Sequence, residues 1–276
     1  MTNYERHCVF CQKPAKMTSE HIWGEWIQDY VAPTTNKHQF ADIRVPRPGE
    51  YDAPIIRIRA GDPLNSQVPI VCRDCNGAWM SQLQQQAKPF LVPLLDGEKT
   101  VLTDAGQIAI SAWVAMAAMT GEYRARNPER ITVPQAERNW LMNNRTAPPE
   151  TWRIWLGRCP VPWRRRQWVR TTAPILDAKK LPNAVTAEDR LPNTQATAFK
   201  VGKLYVATLN CPFPTITQGW DWRTAPRALS RLQQIWPISR HILMWPAADM
   251  SNKDASSFAT AWKRYSDNLA KRVGYR

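Results

Sequence analysis

Two Cys-x-x-Cys pairs, Cys8 with Cys11 in "CVFC" and Cys72 with Cys75 in "CRDC", constrain this chain more than any other feature. A Cys-x-x-Cys turn aims two sulfurs at one ion. Two such turns complete a tetrahedral thiolate set, so the four residues are read as ligands of a structural zinc ion. Such a site closes everything between the pairs into one loop. Two disulfides or a redox dithiol are the competing readings. Residues 1–30 carry charges and cysteines throughout and no apolar leader segment, which favours reduced thiols and zinc. Cys159 and Cys211 stand alone and are expected as buried small apolar residues.

Between the pairs, "MTSEHIWGEWIQDYV" (residues 17–31) spaces Ile22, Trp23, Trp26, Ile27, Tyr30 and Val31 as a helix would, after a Thr/Ser cap. A Pro/Thr/Asn-rich loop follows, and then the alternating "IIRIRA" (residues 55–60), which reads as a strand. After Cys75, Trp79, Leu83 and Ala87 lie one turn apart, predicting a helix that starts near Asn76 and stops before Pro89.

Inside this frame, His21 is preceded by Glu20 and followed by an apolar residue ("EHI"), and Cys75 is followed at once by Asn76. The succession Cys-x-x-Cys, acidic residue plus His, then Cys-x-x-Cys-Asn opening a helix, resembles the zinc-supported HNH endonucleases, the ββα-metal or His-Me finger group. The resemblance spans about residues 8–89. It implies that His21 is the general base, that Glu20 is a carboxylate ligand of a divalent cation such as Mg²⁺, and that Asn76 is the second protein ligand. Glu20 stands where the family usually has Asp, and the family's middle asparagine is matched by either Asn65 or Gln67. The resemblance also puts His21 near the end of a strand, against the helix that local periodicity predicts there. The chemistry is coherent: a cation held by two protein oxygens keeps positions open for phosphate and water. Histidine is the side chain whose ordinary pKa suits proton removal at cellular pH.

Further along, a turn at Asp96-Gly97 marks a boundary, and Thr103 or Asp104 caps an apolar helix over residues 105–123. A second helix is predicted over residues 134–144, with Trp140 and Leu141 facing inward. The period then changes. Strands are expected at residues 151–159, 167–175 and 240–246, with a hairpin over 196–210 that turns at 201–203. Residues 254–273 read as a terminal amphipathic helix. The fold class expected is α+β: a zinc-bound ββα-metal finger (residues 1–93, with an insertion at about 32–66), then a basic, Trp-rich α+β domain (residues 94–276).

Charge points to the partner. The chain carries a net +14 with a pI near 9.8. Residues 1–95 hold 10 of its 37 Lys/Arg and 9 of its 23 Asp/Glu, so the surplus belongs to the remainder. A field of this sign concentrates polyanions. Nucleic acid, DNA before RNA, is the partner read from it, because no basic amphipathic helix or lipidation signal marks a membrane. Tryptophan and arginine interleave in "PWRRRQWVR" (residues 162–170), which suits phosphate contact and base stacking and singles out Arg164, Arg165 and Arg166. The longest apolar run, residues 108–119, is too short to cross a bilayer, and the protein is read as soluble and cytoplasmic. His7, His38 and His241 have no ligand partners in the sequence and are taken as structural or surface residues. Two functions from different classes follow: an HNH-type phosphodiester hydrolase, or a non-catalytic zinc-stabilised nucleic-acid-binding or adaptor protein.

Overall fold

Strands whose residues are buried on both faces organise the molecule. In the computed structural model, which describes residues 6–33, 37–44, 54–161, 166–175, 191–213 and 231–257, a seven-stranded sheet runs in the order β12-β8-β11-β10-β9-β4-β5. Its strands are β4 (His38–Arg44), β5 (Ile55–Arg59), β8 (Trp152–Arg158), β9 (Arg166–Ala173), β10 (Thr194–Val201), β11 (Leu204–Asn210) and β12 (Gln233–Trp236). Neighbours are antiparallel except β4 and β9, which are parallel. Successive side chains on a strand point to opposite faces. Ile154, Leu156, Phe199, Val201, Leu204 and Val206 therefore enter one apolar core, and Trp155, Ala196, Ala198, Tyr205, Ala207 and Leu209 enter a second.

The first core is closed by α3 (Asp104–Gly121), a helix buried nearly all round from Ile110 to its end. A side chain at Gly121 would collide with the ring of Trp168, so the last turn of α3 depends on having none. Trp168 stacks on Phe199 with centroids 5.1 Å apart, and Trp23 packs on both, 5.3 Å and 4.7 Å away. The same core contains Cys8, Phe10, Trp79, Leu83 and Leu91. Residues on both sides of position 93 thus share one interior, and β4 and β5, from the expected insertion, lie in the same sheet as strands β8 to β12.

Charge is buried as well. Asp42 on β4 accepts from Arg170 Nη1 (2.9 Å) and Arg130 Nη1 (3.0 Å), while Arg138 pairs with Glu122 and Thr132 N–H donates to Glu122 Oε2 at 3.0 Å. Asp42, Arg170 and Glu122 are wholly inaccessible. Part of the arginine surplus is therefore internal.

Several expectations need correction. Residues 17–31 are not one helix: β3 (Met17–His21) is a strand, and a 3-10 turn follows at Glu25–Asp29. Pairing with β6 (Gln67–Cys72) supplies the hydrogen bonds that override local periodicity. The helix after Cys75 does not stop at Pro89. It runs from α1 (Arg73–Cys75) through a π-helical turn at Asn76–Met80 into α2 (Ser81–Asp96), carrying Pro89 and Pro93. Each proline removes one backbone bond, at about 3 kcal/mol. Burial of Ala87, Leu91, Leu94 and Leu95 on the inward face offsets that loss. Gly97, at φ 72, then ends the helix in the left-handed conformation. On α4 (Gln135–Asn144) Leu141 is buried, but Trp140 is 47% exposed, with Nε1 donating to Ala147 O. Three strands had no clear signal: β4, β12, and β7 (Thr100–Thr103), which pairs with β13 (Ile242–Trp245). Residues 252–257 are helical, and the rest of the expected terminal helix lies outside the described residues. No helix among the described residues is long and apolar enough to cross a membrane.

Candidate functional site

The four paired cysteines meet. Their sulfurs all lie within 4.8 Å of one another, and Cys11 Sγ is 3.7 Å from Cys72 Sγ. That spacing is far too long for a disulfide. It matches the edge of a tetrahedron with metal–sulfur bonds of about 2.3 Å, which is about 3.8 Å. Among the described residues this is the one group of His, Cys, Asp and Glu so placed, and the donor set can hold a structural metal such as zinc.

Local structure explains the convergence. β1 (Arg6–His7) and β2 (Pro14–Ala15) form a short hairpin around the first pair. Its turn is closed by Cys8 N–H to Lys13 O (3.0 Å) and Gln12 N–H to Cys8 O (2.9 Å), with Gln12 at φ 59. Val9 N–H donates to Ile70 O at 3.1 Å, tying this turn to β6, whose last residue is Cys72. Cys75 ends α1. Phe10 packs edge-on against Trp79, 5.0 Å between centroids, and seals the apolar side. Burial works against ionisation of Cys8, but backbone hydrogen bonds from Cys72, Cys11 and Phe10 prevail and lower its pKa, whereas burial raises Cys72 and Cys75. A dication would reverse that balance and hold all four as thiolates. The six cysteines are all free, and Cys159 and Cys211 are buried as expected.

β3 and β6 pair antiparallel and lead directly into the helix, giving a strand–strand–helix unit fastened by the sulfur cluster. His21 lies opposite Gln67 in the register, and the Gln67 carboxamide nitrogen is 2.7 Å from His21 Nε2. The other candidate, Asn65, accepts instead from Gln28 Nε2 at 3.1 Å. Asn76 Nδ2 donates to Thr18 Oγ1 (3.1 Å), and that hydroxyl donates to Val71 O (2.9 Å). The register passes from Thr18↔Val71 to Glu20↔Val68, so the extra residue of the irregularity is on β6 and β3 alternates regularly. Thr18 and Glu20 thus share the face that meets Asn76, and His21 points to the opposite face with Gln67.

Glu20 is buried, and burial raises its carboxyl to about 7, with no compensating charge or hydrogen bond among the described residues. The structure therefore brings Asn76 and Glu20 to one side of β3, and His21 with Gln67 to the other.

A cavity of about 910 Å³ opens along β6, with Gln67, Val68, Pro69 and Ile70 in its wall. Arg6, Arg57, Arg59, Arg124 and Arg126 line it, and no aspartate or glutamate does. Sequence reasoning singled out none of these arginines, because they come from three separate stretches and no local motif joins them. Of the arginines that it did single out, Arg164 and Arg165 lie outside the described residues, and Arg166 is the first residue of β9. Trp168 beside them is interior. His38 is buried with Nδ1 3.1 Å from Gly61 O, and His241 is an exposed partner of Asp104 at 2.8 Å. No protein-family model, curated protein or solved structure matches the chain.

Proposed function

We propose that the protein is a metal-dependent endonuclease of the HNH type, hydrolysing phosphodiester bonds in DNA. One observation carries the reading: a strand pair and a helix joined at a four-sulfur cluster, with His21, braced by Gln67, ending the strand and Asn76 one turn into the helix, directly after Cys75. Zinc is the structural ion in this reading, held by Cys8, Cys11, Cys72 and Cys75.

Glu20 and Asn76 are the groups that would hold a second divalent cation, and a buried carboxylate without a counter-charge is a fitting ligand. When bound, Mg²⁺ or a similar ion supplies charge neutralisation at the phosphate and the leaving oxygen. In this reading His21 takes the proton of the attacking water. As placed, the Gln67 carboxamide nitrogen donates to Nε2; turned end for end, its oxygen accepts from Nε2–H instead and leaves Nδ1 free for that proton. β3 ends at His21, and Gly24 (φ 80) turns the chain away. In this reading the scissile phosphate sits at the end of the strand, where consecutive side chains that alternation aims apart would both have to reach it.

That alternation also favours a second reading, a zinc-stabilised nucleic-acid-binding protein without catalysis. Incubation of supercoiled DNA with the zinc-loaded protein and Mg²⁺ or Mn²⁺ separates the two. Cutting by the parent, reduced on the order of a hundredfold or more in His21→Ala of equal zinc content, supports hydrolysis. No cutting with either cation supports the binding protein.

A further inference from the structure

The basic cavity along β6 is built to a degree that a solvated arginine surface is not. The Arg124 guanidinium lies over the Phe40 ring, 4.6 Å from its centroid, and Nη2 donates to Ser66 Oγ at 3.3 Å. Arg57 is held by Nη2 donating to Ala125 O at 3.2 Å. Each then presents a buried nitrogen, Arg124 Nη1 and Arg57 Nε, that meets no acceptor among the described residues. A desolvated cationic donor without an acceptor is costly, so two at one cavity call for an anion. None of the five arginines is ion-paired among the described residues, and burial together with the neighbouring Arg59 lowers Arg124 to about 9.

Size and number narrow the ligand. Five cations exceed what one phosphate needs, and about 910 Å³ exceeds its volume. Arg6, Arg59 and Arg126 are exposed, so the cavity is open at its rim to a longer chain. Gln67 belongs both to the wall and to the His21 contact, so this residue links the cavity to the histidine.

We infer that this cavity seats consecutive backbone phosphates of a nucleic-acid strand, with Arg57 and Arg124 gripping one at the floor and Arg6, Arg59 and Arg126 holding its neighbours at the rim. The inference deepens the nuclease reading and rests on it only in having the same strand reach His21. Recognition here is led by phosphate, since five guanidinium groups at one cavity supply charge beyond what the amide and hydroxyl groups of Ser66, Gln67, Tyr123 and Asn127 would use on a base edge.

The test uses the full zinc-loaded chain carrying His21→Ala, so that the probe stays intact. Binding of a fluorescein-labelled DNA oligonucleotide is followed by anisotropy across a salt series. Two double variants are compared with this parent: Arg57→Gln with Arg124→Gln at the floor, and Arg59→Gln with Arg126→Gln at the exposed rim, where folding is not at stake. Each pair is expected to weaken binding about tenfold or more and to flatten the salt slope by about 0.7–0.9 for every phosphate left without its arginine. A strand with uncharged methylphosphonate linkages is expected to bind weakly and equally to all three proteins. Rim variants that melt as the parent does, yet keep its affinity and slope, would overturn the inference. The nuclease reading fails separately: a chain with His21 intact that binds through the rim but never cuts sinks hydrolysis alone, and His21-dependent cutting with no effect of the arginines sinks this cavity alone.

Discussion

Gln67 and His21, far apart in the chain, face each other across β3 and β6 with their side-chain nitrogens 2.7 Å apart. The pair is exposed, so the contact orients a ring and does not fill a core. Gln67→Leu is expected to lower DNA cutting on the order of ten- to a hundredfold while the melting temperature stays within a few degrees of the parent. Nicking rates and a thermal melt on the same preparation check this. A fall in rate that follows a fall in melting temperature would make Gln67 a structural residue only.

Cys72 closes β6 and contributes to the sulfur cluster. Cys72→Ser is expected to lose bound zinc and much of the cooperative unfolding transition, because metal affinity of such a site is folding free energy. Metal analysis and circular dichroism report the two losses together. Prolonged chelation of the parent should reproduce them.

Glu20 imposes a pH dependence of definite sign. Its carboxyl has a pKa of about 7 in the folded chain against 4.5 ordinarily, so between these values the folded state holds a proton that the unfolded state has released. Stability therefore falls as pH rises through this window. The fall reaches at most about 3 kcal/mol and is complete above pH 7. Urea denaturation at several pH values without divalent cation should show the decline, and Glu20→Gln should remove it. Mg²⁺ added at neutral pH should restore stability in the parent and not in the variant.

Asp42 accepts from both Arg170 and Arg130 in a wholly buried network. Asp42→Ala removes the acceptor and leaves the charges in place, which destabilises by about 3–5 kcal/mol. Equilibrium denaturation measures the loss. A value near zero would mean that water or other groups replace the carboxylate.

How legible the molecule is depends on the range of the interaction that decides each part. The cysteine pairs state their own geometry, and the strands at Trp152–Arg158 and Thr194–Asn210 show in apolar β-formers around a turn at Gly202. Elsewhere distant partners decide. Residues 17–31 read as one capped helix, but β6 offers residues 17–21 a strand ladder. Pro89 and Pro93 read as helix stops, and the buried leucines beside them hold the helix together. His38–Arg44 gives little strand signal, because what fixes it is pairing with β9 and the Asp42–Arg170 ion pair. The same applies to the site. Glu20, His21 and Asn76 stand out beside the cysteines, whereas the arginine-lined cavity exists only once Arg6, Arg57 and Arg124 are folded against one another.

The parallel register of β4 on β9 sets Phe40 beside Trp168 and Asp42 beside Arg170. On the ribosome, residues 38–44 emerge long before residues 166–173. A nascent chain therefore carries the β4–β5 hairpin with one edge waiting for a neighbour that has yet to be synthesised. Pairing over such a distance is slow and comes late. Chaperone demand and sensitivity to premature truncation should thus concentrate in the interval between translation of Asp42 and release of Arg170, and a fragment ending before β9 should be prone to aggregate through that open edge.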